Sequence, residues 1–107
     1  MNGSHLKFYV QEKHKLHGIL AYEWLLEQAR RLGIPGGSAF RAIAGYGRHG
    51  VLHEDHFFEL AGDLPVEGGF ACTDEQAERL LQCLRDEQVS VFYVRLPAQF
   101  GLTGAMP

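Results

Sequence analysis

Two amphipathic helical stripes, each with a β-patterned segment on either side, constrain this chain more than anything else in it. In the first, Ala21, Leu25, Ala29 and Leu32 recur on one face between about Leu20 and Leu32, with Tyr22 and Leu26 beside them. Arg30 and Arg31 close that helix where cations suit the dipole, Gly33 can take the left-handed stop conformation, and Pro35 bars resumption. The second begins with Thr73-Asp74-Glu75-Gln76, the pattern of a capping box. Ala77, Leu80, Leu81 and Leu84 then follow at i, i+3, i+4 and i+7.

The segments around these helices read as strands. Leu6 to Gln11 alternates, with Leu6, Phe8 and Val10 on one side and Lys7, Tyr9 and Gln11 on the other. A polar loop is expected from Glu12 to Gly18, then helix, then a second strand from about Ser38 to Tyr46. The third strand starts irregularly at Phe57, Phe58 and Leu60, is interrupted by Gly62-Asp63-Leu64-Pro65, and runs properly from Val66 to Cys72. Val89 to Leu96 is the fourth, and 98–107 is a tail without periodicity. The order is β-α-β-β-α-β. Two right-handed βαβ units sharing a sheet predict an α+β, ferredoxin-like sandwich: an antiparallel sheet with two helices on one face. With 107 residues the chain has room for one domain over 1–107, its core from about 5 to 97. Gly3-Ser4-His5 looks like a tag remnant and receives no functional weight.

Helices cover one face of such a sheet, and the other should be polar in a monomer. Here Phe40, Ala42 and Ala44 oppose Ala39, Arg41 and Ile43, while Val89, Val91 and Tyr93 oppose Ser90, Phe92 and Val94. Apolar residues stand on both sides, so self-association is expected to bury the second face. The net charge is -3 and no stretch concentrates Lys and Arg, which argues against nucleic acid as a partner. No apolar run approaches the length of a membrane span and no secretory pattern opens the chain, so no membrane insertion and a cytoplasmic location are the expectations. Cys72 and Cys83 have no metal-type spacing and read as reduced thiols, one on a strand and one on a helix.

Gly45-Tyr46-Gly47-Arg48-His49-Gly50 resembles the Gly-aromatic-Gly-Arg stretch at the base of the long T-loop in PII signalling proteins. Ala21-Tyr22-Glu23, Phe40-Arg41, Asp63-Leu64-Pro65-Val66 and Thr73-Asp74 are similar to the less characterised PII-like branch of bacterial regulatory proteins. The likeness runs from about His5 to Pro97. It implies homotrimers whose three sheets face inward. It also implies small effectors, often adenine nucleotides, in clefts between subunits, and loops that change contact with a partner such as a membrane transporter or an enzyme. The chain departs from the best-known members in three places. The segment expected between the second helix and the fourth strand is only Asp86-Glu87-Gln88, without a Gly- and Lys-bearing phosphate loop. The loop from about Gly47 to His56 is short and has no tyrosine beyond Tyr46 for covalent modification. Ala42 stands where the PII-like branch often has Gly.

The candidate ligand site is therefore Arg41, Gly45, Tyr46, Gly47 and Arg48. Gly45 and Gly47 expose amides suited to an anion, and the two arginines suit phosphate or carboxylate. A plain hairpin turn at the glycines, and a structural ion pair of Arg41 with Asp63 or Glu59, are the competing readings. His49, His53 and His56, with Glu54 and Asp55, could hold a divalent cation, which makes a metal-binding homotrimer concerned with cation homeostasis the alternative function. No resident cofactor is expected beyond an adenine nucleotide effector. No nucleophile stands beside a base and an orienting acid, so no enzyme is expected. The acylphosphatases of this fold need an Arg in the first strand–helix loop and a later Asn; here that loop has no Arg and the only Asn is Asn2.

Light scattering coupled to size exclusion should give the mass of three chains at micromolar concentration. The mass of a single chain would contradict the reading of the second sheet face.

Overall fold

The computed structural model describes residues 1–46, 52–54 and 64–104, with the backbone alone for 52–54. Its first strand, β1 (Asn2–Gln11), sorts its side chains by parity: Ser4, Leu6, Phe8 and Val10 are buried, while His5, Lys7 and Tyr9 are half-buried on the other side. The strand starts four residues before the alternation announces it, so Gly3-Ser4-His5 is sheet rather than an appendage. A Cβ at Gly3 would lie 2.1 Å from the Cys72 carbonyl oxygen, which leaves glycine as the side chain that fits.

The expected polar loop folds back into a small hairpin, β2 (Lys15–Leu16) and β3 (Ile19–Leu20). Its two-residue turn, His17-Gly18, has φ of +53° and +83°, the primed-turn geometry that matches strand twist. Helix α1 (Ala21–Arg31) follows at once and buries Ala21, Trp24, Leu25 and Ala29. It ends in a Schellman motif. Gly33, at φ +82°, donates its amide to Arg30, and Ile34 donates to Ala29 and is itself buried.

β4 (Gly37–Arg41), β7 (Pro65–Cys72) and β8 (Phe92–Gln99) join β1 in a four-stranded sheet of order β4-β7-β1-β8. Every neighbouring pair is antiparallel. Each helix thus crosses over one intervening strand, as the βαββαβ reading requires. Helix α2 (Asp74–Asp86) has the predicted capping box: Gln76 N–H donates to Thr73 Oγ1 at 3.1 Å, and Thr73 N–H to Gln76 Oε1 at 2.9 Å. Leu6, Phe8, Val66 and Phe70 meet Trp24, Leu25, Leu80 and Leu84 in one core between the sheet and both helices. Phe8 and Phe70 pack edge to face with ring centroids 6.1 Å apart.

Two strands differ from the sequence reading. The second was expected unbroken from Ser38 to Tyr46, but β4 stops at Arg41, and β5 (Ala44–Tyr46) pairs with β6 (Leu52–Glu54) in a separate ribbon. The cause is the partner strand: β7 begins at Pro65, whose carbonyl takes the Ala42 amide at 2.8 Å and which has no N–H to return. The fourth strand lies at Phe92–Gln99 instead of Val89–Leu96, so 98–99 belong to the sheet and not to the tail. Val89 is spent on helix termination, its amide bonding to Leu84 at 2.9 Å, while the early start of β1 supplies Asn2 to Ser4 as partners for Pro97 to Gln99. The connection after α2 is therefore longer than Asp86-Glu87-Gln88. The irregular start read at Phe57, Phe58 and Leu60 lies outside the described residues.

That connection contains a strained residue. Gln88 has φ +57° at the position after the cap of α2, where Gly33 stands after α1. Gln88→Gly should raise stability by about 1 kcal/mol by removing the left-handed penalty, and Gly33→Ala should lower it by a similar amount. Urea unfolding of the two variants beside the parent measures both.

Candidate functional site

One end of the sheet gathers the chain around the expected site. Glu12, just past β1, donates its amide to the Leu64 carbonyl at 2.8 Å, and Ala42 bonds Pro65 at the same distance. Arg41, the last residue of β4, reaches across with Nη2 2.5 Å from Glu12 Oε1, its side chain half exposed. The ribbon β5–β6 springs from this clamp. Gly45 faces His53 across it, and Tyr46 faces Leu52. A Cβ at Gly45 would sit 3.6 Å from the Pro65 ring, an ordinary contact, so packing among the described residues does not demand glycine there. Tyr46 is exposed.

The structure thus brings Arg41, Gly45 and Tyr46 to one place and identifies Glu12 as a partner of Arg41. Asp63 and Glu59, the partners weighed from sequence, lie outside the described residues, as do Gly47, Arg48, His49 and His56. His53 is placed by its backbone on β6. Among the described residues no cluster of His, Cys, Asp and Glu could hold a metal ion.

Two hollows open on the helix side of the sheet. One, holding about 220 Å³, lies between α2 and the start of β8 and is lined by Phe8, Leu84, Arg85, Val89 and Tyr93 among others. The other, about 240 Å³, lies between the end of α1 and β4, beside Arg30 and Gly36-Gly37. Both are smaller than the roughly 300–1,000 Å³ of sites that enclose a cofactor-sized ligand. A nucleotide in either of these hollows would need a second wall.

The helix-free face offers one. Across it run Phe40, Glu67, Tyr9 and Phe92, one from each strand in register. Phe40 is 63% exposed, Phe92 70% and Leu96 45%. Tyr9 and Phe92 pack at a tilt with ring centroids 5.7 Å apart, and Glu67 is the first cause of the raised pKa of Tyr9.

A polar cluster that the sequence reading missed lies at the opposite end of β1. Ser4, 2% exposed, donates from Oγ to Asp74 Oδ1 at 2.6 Å and accepts from Arg95 Nε at 3.0 Å. Arg95 also pairs with Glu78 and lies 3.5 Å from Asp74. The Ser4 hydroxyl, held by both partners and out of solvent, bolts β1 to β8 and to the first turn of α2. The signal available beforehand was Asp74 in the first turn of a capped helix; Ser4 carried none. Burial pushes the Cys72 thiol beside it up. Cys83 is also free and is raised by burial first and then by Glu87 and Asp86. No described helix is long and apolar enough to cross a membrane.

A family model described as DUF190, Uncharacterized ACR, COG1993, matches residues 3–94. A UPF0166 protein of Aquifex aeolicus (strain VF5) is 31% identical over 97 residues, covering 83% of this chain and 92% of that one. A UPF0166 protein of Methanocaldococcus jannaschii is 36% identical over 76 residues, covering 71% of this chain and 69% of its own length. Among solved structures, the chain resembles CPII, a nitrogen regulatory PII-like protein from Thiomonas intermedia K12 bound to ADP, AMP and bicarbonate. The TM-score is 0.71 at 21% identity, covering 95% of this chain and 91% of that chain. It also resembles a PII-like signaling protein from Thermus thermophilus, with TM-score 0.61 at 19% identity, covering 91% and 87%.

The Ser4 cluster sets a pH dependence. The Ser4 hydroxyl first, and Arg95 with it, holds the Asp74 carboxyl below its ordinary value of 3.8. A depressed carboxylate contributes stability that is present above its unfolded pKa and lost as pH falls through the folded one. Stability should therefore decline below the ordinary aspartate range, and Asp74→Asn should flatten that decline while lowering stability at neutral pH. Urea unfolding between about pH 6 and about pH 2 reads both effects.

Proposed function

The chain belongs to the DUF190 family, COG1993, and has the fold of PII-like proteins; from this we propose that it is a cytoplasmic, non-enzymatic regulatory protein. It forms a homotrimer and binds a small anionic effector, an adenine nucleotide, in the clefts between subunits. Effector binding alters its contact with a partner such as a transporter or an enzyme.

The observation that carries this reading is the break after Arg41. It takes the chain out of the sheet and into the β5–β6 ribbon at the position where the Gly-aromatic-Gly-Arg segment resembles a T-loop base. An anionic group at that base would meet the half-exposed guanidinium of Arg41 and the backbone around Gly45, and Gly47 and Arg48 follow directly in the sequence. The Glu12 carboxylate orients the Arg41 fork. Adenine nucleotide and bicarbonate in the Thiomonas protein support the class of effector. The small hollows of a single copy and its exposed aromatic face support a site completed by a neighbour.

Calorimetric titration of the wild-type protein with ADP, AMP, ATP and bicarbonate tests it. Binding of at least one nucleotide below millimolar concentration is expected. A charge-assisted hydrogen bond contributes about 1.5–3 kcal/mol, so Arg48→Ala should weaken that binding roughly ten- to a hundredfold. It should leave the assembly and the melting temperature nearly unchanged. Absence of binding by every one of these ligands sinks the effector reading. Undiminished binding by Arg48→Ala moves the site elsewhere.

A further inference from the structure

The helix-free sheet face is not uniformly apolar, and its two charges are complementary. Register places Ser38, Gly69, Lys7 and Val94 in the row beside Phe40, Glu67, Tyr9 and Phe92. The next row holds Ala71, His5 and Leu96. Among the described strand residues of this face, Lys7 is the one cation and Glu67 the one carboxylate. Both stand on the two central strands, ringed by Phe40 on one edge and by Phe92, Val94 and Leu96 on the other.

Within one copy they do not satisfy each other. Among the described residues, the ion pairs include neither Lys7 nor Glu67. Directly opposite Lys7 on β7 is Gly69, which has no side chain to offer. Directly opposite Glu67 on β1 is Tyr9, which is neutral and offers no counter-charge. In water this costs little. When a second copy covers the aromatic rim, both charges lose their hydration, and an unpaired buried charge is expensive.

We propose that Lys7 of one copy pairs with Glu67 of the partner subunit across this face, each copy contributing one of each charge around the closed assembly. This rests on the self-association proposed above and deepens it, since apolar area alone would not fix how the copies meet. The charges do. Only arrangements that bring ammonium to carboxylate avoid two stranded ions, so the pair selects register and closure.

The experiment is charge reversal read by light scattering across a dilution series. Lys7→Glu and Glu67→Lys should each raise the concentration of half-dissociation by about tenfold or more. The double reversal should return it to near the parent value. Mixing the two single variants should restore assembly in part, because two of the three contacts in a mixed trimer then bring ammonium to carboxylate. That rescue distinguishes pairing between copies from pairing within one: an intramolecular pair is repaired in the double variant and not by mixing. If the single variants assemble like the parent, or if mixing restores nothing, the pairing is wrong while self-association stands. If the parent itself stays monomeric, the self-association reading fails and the pairing fails with it.

Discussion

Every other element depends on the pairing of β1 with a strand on each side. It bonds β7 from Ser4 to Gln11 and β8 from Asn2 to Tyr9, so its backbone is almost wholly committed, and its parity is imposed on both neighbours. Even positions on β1 face the helices. Leu6 then stands beside Phe70, and Phe8 beside Tyr93, and the core forms from those rows. Odd positions necessarily face away, which puts Lys7, Tyr9 and, through register, Glu67, Phe40, Phe92 and Leu96 on the open side. A one-residue slip would exchange the core for the surface, so the hydrophobic pattern and the hydrogen bonds enforce the same register.

The two ends of this central strand serve different purposes. At its start the Ser4 hydroxyl joins β1, β8 and α2 through Asp74 and Arg95, with Glu78 holding the far side of the guanidinium. The polar groups are bonded to one another, so burying Ser4 carries little desolvation cost. At its end the sheet stops abruptly, because Pro65 cannot donate to an extension of β4. The chain turns out after Arg41, tethered by the Ala42 amide and the Glu12 carboxylate, and pairs with a different partner. A closed end opposite one that lets a ribbon leave the sheet suits the effector site proposed above, because the ribbon's base is held at Arg41 and Ala42.

The self-association and effector binding proposed above would share this frame. The open face carries aromatic rings that a single copy leaves in water, and the two hollows on its helix side are small. Both conditions are relieved when copies meet. A regulatory protein assembled in this way has its sites where subunits join, so occupancy and subunit contact are thermodynamically linked.

Local chemistry alone determined much of this protein. The 3.6-residue stripes located both helices to within a residue, because an amphipathic face is written into consecutive side chains. The Thr73–Gln76 box and the Gly33 stop needed only backbone groups a few positions away. The βαββαβ order, the apolar second face and the likeness to PII-like proteins were legible for the same reason. What tertiary structure decided was where strands end and what polar groups meet. β4 stops where β7 has no donor, β8 shifts because β1 begins early, Ser4 becomes a hub through Asp74, 70 residues away, and Arg41 reaches Glu12 across 29. Strand limits and long-range polar partners depend on which backbone lies alongside, and that neighbour comes from distant sequence through the pairing of β1.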